Sequence, residues 1–175
     1  MKKSALACAV AAALLSGCAT IGGSPELVEC LQPNRRVTVE VGGTKVKPPP
    51  KPKPGAQPGK PGREVAQMRV LVQGNSAWDP GGTVLKDGGK AELDKLVKTL
   101  AEGAGRDKRP TTVGSVIIAG HIDRIEAADG KNSLDEDRAK VVKDYLVSKG
   151  VDSKLMFWEG KDDKDPVPVT KFCQD

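Results

Sequence analysis

The sequence predicts one mixed α/β domain, equally describable as α+β, preceded by a leader and interrupted by a proline-rich run. Four runs read as strands and three as helices, and the two kinds alternate from Val65 onward. Such alternation marks a sheet covered by helices. Aromatic residues make up only 3% of the chain, so the core must be built from Val, Leu, Ile and Ala. The formal net charge of +5 does not describe the folded part. Lys2 and Lys3 lie in the leader, and Lys45, Lys47, Lys51, Lys53, Lys60 and Arg63 in the proline-rich run. From Glu64 onward there are 18 basic and 20 acidic residues. No basic face interleaved with aromatics is present, so no nucleic-acid partner is expected.

Residues 1–17 read as a secretory signal peptide: two lysines, then an apolar stretch from Ala5 to Leu15 that is too short to serve as a permanent membrane span. The run Leu15-Ser16-Gly17-Cys18 resembles a bacterial lipobox, which implies lipidation of Cys18. Residues 18–23 would then be a lipidated tether. Ala19, rather than Asp, implies the outer membrane, on its periplasmic side, with the lipid as anchor. Of the four cysteines, Cys8 leaves with the leader and Cys18 is acylated. Cys30 and Cys173 remain in an oxidising compartment, either as two separate thiols or as a pair.

Taken in order, Ser24–Leu31 carries a capping Ser24, Pro25 at the first helical position and Glu26 in the first turn, and reads as a short helix. Arg35–Val41 alternates, with Val37, Val39 and Val41 on one face, and Gly42-Gly43 should close that strand. Lys45–Arg63 holds seven prolines and no acid, and reads as an extended linker. Val65–Val72 is a strand, Trp78–Thr83 a loop, and Asp87 to about Gly103 a helix with Leu93, Leu96, Val97 and Leu100 on one stripe. Val113–Ala119 is a strand, apolar on both faces at Val116-Ile117-Ile118-Ala119 and therefore central. Ser133 with Glu136 reads as a capping box opening a helix that runs to Gly150, with Leu134, Val141, Val142, Tyr145 and Leu146 facing the core. Leu155–Glu159 is the last strand.

Two charged residues in this region are awkwardly placed. Arg138 lies on the apolar stripe of its helix, and it is a cation near the helix N-terminus, where the dipole disfavours it. Both placements call for an anion. Asp123, just past the central strand, is the near candidate, at the end of a strand where open α/β sheets put their ligand crevice. The pair reads either as a structural ion pair or as a clamp, with Arg138 taking a ligand carboxylate bidentately and Asp123 a ligand ammonium. N–H groups at Leu134 and Asp135 would add donors. His121, the only histidine, makes too few metal ligands with Asp123 and reads as a loop-fixing residue. No metal, no cofactor and no Ser/His/Asp nucleophile are expected.

GHIDRIEAADGKNSLDEDRAKVVKDYLVSKGV, from Gly120 to Val151, resembles the peptidoglycan-binding motif of OmpA-like domains, GHTD…N..LS..RA..V..YL...GV. VLVQGNSAWDPGGTVLKDGGKAELDKL resembles that family's first strand and helix. The resemblance implies a four-stranded mixed sheet covered by helices. It also implies a pocket for the diaminopimelate of the peptidoglycan stem, held by Asp123 and Arg138 and lined by Asn75, His121, Ile122, Asn132, Leu134 and Asp135. Ile122, Lys131 and Asp135 depart from the usual residues. The family's closing helix and strand are missing after residues 155–159, yet ELVECLQPNRRVTVEV, from Glu26 to Val41, is similar to them. The resemblance therefore implies a circular permutation. Residues 24–43 would supply the last helix and strand, 44–63 the connecting linker and 64–175 the main part. It also implies a Cys30–Cys173 disulfide, as in members where a cysteine after the third strand pairs with one in the final helix. The expected function is non-enzymatic anchoring of the envelope to the wall, with possible envelope-protein partners. A wall-docking part of a secretion or motility assembly is an alternative, and a peptidoglycan hydrolase a weaker one.

Overall fold

The computed structural model describes residues 23–47, 62–130, 133–169 and 173. The leader with Cys18, residues 48–61 of the proline-rich run, and Asn132 lie outside them. Helix α1 (Pro25–Cys30) is capped by Ser24, whose hydroxyl accepts from the Leu27 N–H at 3.2 Å. A 3-10 turn at Gln32–Asn34 leads into strand β1 (Arg36–Val46), which is followed by β2 (Arg63–Gln73), α2 (Asp87–Glu102), β3 (Thr112–His121), α3 (Arg124–Ala128), α4 (Leu134–Ser148) and β4 (Met156–Gly160).

The four strands form one mixed sheet in the order β2-β1-β3-β4. β1 pairs antiparallel with β2 on one side and β3 on the other, and β3 runs parallel to β4. The first strand of the chain is thus an inner strand. Its alternation gives it one buried face: Val37, Val39 and Val41 are almost wholly buried and pack into the core beneath the helices. They meet Val72, Val116 and Ile118 from neighbouring strands, Leu93, Leu96 and Leu100 of α2, and Ala139, Val142 and Leu146 of α4. Burying such aliphatic side chains contributes about 1.5–3 kcal/mol each before entropy is counted.

Three expectations need correction. β1 does not stop at Gly42-Gly43 but runs to Val46, because the glycines absorb a register shift opposite β3. A Cβ on Gly43 would lie 2.5 Å from the Thr112 carbonyl oxygen, so the close approach requires a bare backbone. β3 is inner but not apolar-buried on both faces: Ile118 faces the core, while Ile117 is 44% exposed on the open side. Finally, Ser133 does not cap α4. It sits at φ −116°, ψ 0°, not in the extended geometry of a capping residue, and its hydroxyl meets Asp137 at 3.3 Å instead.

Helix α4 packs against β3 and β4 through bare backbone. A Cβ on Gly120 would fall 1.9 Å from the Asp135 carbonyl oxygen, and one on Gly160 would fall 2.2 Å from the Asp135 carboxylate. Gly120→Ala should therefore force α4 off the sheet. We expect a loss of about 2 kcal/mol or more, read as a lower urea midpoint at unchanged slope.

Candidate functional site

The site is built where β3 ends. Asp123 leaves the strand with extended backbone (φ −85°, ψ 167°) and caps α3. One carboxylate oxygen accepts from the N–H groups of Ile125 and Glu126, each at 2.9 Å, and Glu126 reaches back to the Asp123 N–H at 3.4 Å. This Asp-x-x-Glu pair is the capping box of the region, and it opens the short helix α3.

The second oxygen of Asp123 takes a hydrogen bond from Arg35 at 2.7 Å, both side chains being almost wholly buried. Arg35 comes from the turn before β1. Its guanidinium also donates to the Val28 carbonyl at 2.9 Å and to Asn75 Oδ1 at 2.6 Å. Its Nε has no partner among the described residues. Asn75 in turn donates through its side-chain amide to Glu29 of α1 and through its backbone N–H to Gln32 Oε1 at 3.1 Å.

Arg138 is also fully buried, but its anion is not Asp123. Glu126 holds it bidentately at 2.7 and 2.9 Å. The remaining donors of Arg138 go to the carbonyls of Gly82 at 2.9 Å and Asp79 at 3.4 Å, and its guanidinium lies 5.6 Å from the centre of the buried Trp78 ring. The Gly81 N–H adds a further donor to Glu126 at 2.8 Å. The structure therefore links Asp123 and Arg138 through Glu126 rather than pairing them. Arg35, Asp123, Glu126 and Arg138 form a buried chain with two positive and two negative charges.

The other expected site residues are placed as follows. Ile122 is buried and its N–H donates to the Asp162 carbonyl at 3.2 Å. Leu134 is a core residue at the start of α4. Asp135 is buried and accepts from the Asp162 N–H at 2.8 Å, which ties α4 to the turn after β4. His121 turns to the open face of the sheet, away from this chain of charges, with Nδ1 3.3 Å from Arg36. Burial, with the Arg36 charge beside it, pushes the His121 pKa down to about 4. A cavity of about 420 Å³ borders Asp123, between the Ile122–Arg124 segment and the tail at Pro166–Val169. That tail is held by a two-way clasp between Asn34 and the Val167 backbone, and by the Cys30–Cys173 disulfide. Among the described residues no group of three or more metal-ligating side chains occurs, and no helix is long and apolar enough to cross a membrane.

Sequence reasoning missed Glu126, Arg35 and Trp78. The first had a legible signal, since Asp123 and Glu126 stand at capping-box spacing.

A mixed α/β domain with ionic groups gathered at the end of a central strand is the class defined by this geometry. Residues 77–172, more than half of the chain, match the family model described as OmpA family, and the chain belongs to that family. Outer membrane protein A of Shigella flexneri is 31% identical over 107 residues, which cover 61% of this chain and 29% of that protein. Outer membrane protein A of Citrobacter freundii is 30% identical over 107 residues, covering 61% of this chain and 42% of that protein. The chain thus spans less than half the length of these curated relatives. The OmpA-like domain of FopA1 from Francisella tularensis subsp. tularensis SCHU S4 aligns with a TM-score of 0.38 at 19% identity, over 54% of this chain and 58% of that one.

Arg35→Met should leave Asp123 buried without its cation, at a cost of about 3–5 kcal/mol in chemical denaturation. His121 sets a pH dependence. The unfolded chain takes up a proton near the ordinary value of 6.5 and the folded one only near 4, so stability falls as pH drops through that window. The loss between pH 7 and pH 5 should be smaller in His121→Gln.

Proposed function

We propose that the protein is an outer-membrane lipoprotein, anchored through Cys18 on the periplasmic side, that binds peptidoglycan without covalent attachment and does no chemistry on it. The observation that carries this reading is the family match over residues 77–172, which takes in Asp123 and Arg138 together with the strand end and the helix that present them. The ligand is the diaminopimelate of the stem peptide. Its ammonium approaches Asp123 from the bordering cavity, and its carboxylate engages Arg138.

A circular permutation of the family's order belongs to the same proposal. What supports it is that residues 24–46 lie outside the family match, yet their strand sits between β2 and β3 and their Arg35 grips Asp123. The Cys30–Cys173 bond joins the first helix to the tail after β4 across 143 residues of sequence. With α1 beginning at Pro25, the tether from Cys18 is short, roughly 20 Å at full extension, and it would keep the domain close to the membrane.

Retention on purified sacculi tests this reading. Asp123→Asn keeps an amide able to cap α3 but removes the charge. It should reduce retention by about tenfold, a loss of roughly 1.4 kcal/mol, with an unchanged circular dichroism spectrum. Equal retention of variant and wild type would reject the site, and release of soluble muropeptides would reject the non-enzymatic reading.

A further inference from the structure

The carboxylate of Glu126 makes the set of bonds that a bound carboxylate ligand would make. It accepts two hydrogen bonds from Arg138, at 2.7 and 2.9 Å, and the N–H of Gly81 at 2.8 Å. The Asp123 N–H adds a weaker fourth at 3.4 Å. Both members of the pair are fully buried. Bidentate guanidinium contact with flanking backbone N–H donors is how proteins hold planar anions. Here the anion is supplied by the chain itself, from a helix of five residues.

We propose that Glu126 is an internal stand-in for the ligand carboxylate, and that it sets which ligands the site admits. The inference rests on the wall-binding reading for the identity of the ligand, though not for the presence of a carboxylate site. Binding is then a displacement: an incoming carboxylate must take Arg138 from Glu126, and Glu126 must reach water.

A simple carboxylate gains only what Glu126 loses, so it does not bind. A ligand that also places an ammonium beside Asp123, alongside Arg35, adds a contact that Glu126 cannot offer, and that contact can drive the exchange. The internal carboxylate therefore works as a selectivity filter for zwitterions. It also keeps Arg138 from standing buried and unpaired when no ligand is present, which the wholly dry environment of that guanidinium would otherwise make costly.

Two measurements on the full chain test this. The first is thermal unfolding in sodium acetate against sodium chloride at equal ionic strength. Glu126→Ala opens a carboxylate-sized space beside Arg138, so acetate should raise its melting temperature by roughly 2–4 °C more than chloride does. Wild type and the double variant Glu126→Ala/Arg138→Met should show no such difference. Rescue is measured on the variant itself, so a lowered baseline stability does not obscure it. Absence of acetate rescue in Glu126→Ala would overturn the proposal.

The second measurement is calorimetric titration with a soluble stem peptide containing meso-diaminopimelate. Removing the competitor should tighten binding about tenfold in Glu126→Ala relative to wild type. Glu126→Gln, which keeps the shape and weakens the pair, should fall between them. Peptide binding that is equal or weaker in both folded variants would overturn the proposal. Acetate rescue with no peptide binding by any of the proteins would uphold the carboxylate site and reject the wall-binding reading instead.

Discussion

The structure depends on keeping four buried charges mutually satisfied. Arg35, Asp123, Glu126 and Arg138 have almost no exposed surface, and ions moved out of water recover their hydration only through close partners and well-placed hydrogen bonds. The order along the chain is cation, anion, anion, cation. The two acids come from one segment, at the end of β3 and within α3, and are prevented from repelling one another by the outer guanidiniums and by the N–H groups at the start of α3. The cations come from two further places, the turn before β1 and the first turns of α4. Three segments distant in sequence must therefore meet for any of these charges to be tolerable, which makes the end of the central strand the point where the fold is tied together.

That requirement gives the N-terminal segment its importance. β1 is not an accessory hairpin arm: it fills the middle of the sheet, and without it β2 and β3 would have no common neighbour. Its valines close the core and Arg35, just ahead of it, neutralises Asp123. The same turn reaches the other end of the chain. Asn34 pairs both ways with the Val167 backbone, Arg36 donates to the Asp165 carbonyl at 2.6 Å, and Cys30 bonds Cys173. Cys30, Asn34, Arg35 and Arg36 are each committed either to the tail or to the region beyond β3. The disulfide thus secures a junction that hydrogen bonds already define, and by shortening the loops of the unfolded chain it also disfavours unfolding.

The sequence was most legible where one force acted alone. The valine alternation of β1, the leucine stripe of α2 and the apolar face of α4 follow from burial, and each appears in the structure with small errors at the ends. It was least legible where two signals competed for one function. Both Ser133 with Glu136 and Asp123 with Glu126 have capping-box spacing, and residue identity cannot tell which Ser or Asp will adopt the extended geometry a cap requires. Only Asp123 does so, because it leaves a strand, whereas Ser133 itself has helical-region backbone angles. The awkward position of Arg138 was readable, and so was its demand for an anion. The identity of that anion was not, because Glu126 becomes available only once α3 forms and turns it inward. Trp78 was hidden for a similar reason: its backbone lies in a loop, while its ring enters the core and donates to the Val72 carbonyl at 3.1 Å.

A site whose buried charges are already paired cannot recognise a ligand by offering it an empty charge. Its recognition must be an exchange, and the relevant quantity is a difference between two nearly equal sets of bonds. Carboxylate for carboxylate on Arg138 leaves the buried charge unchanged, so the electrostatic part of that difference is small. What remains is the hydration regained by Glu126 as it reaches the surface, the strain of opening a five-residue helix, and whatever the rest of the ligand contributes elsewhere. Such a site discriminates through the second contact rather than the first. A lone carboxylate finds no advantage over the side chain it would displace, and a ligand joined to a correctly spaced cation gains Asp123 as well. The charge chain that holds the fold together is, on this view, also what makes the pocket selective, because the same partners that remove the penalty of burial set the threshold a ligand has to exceed.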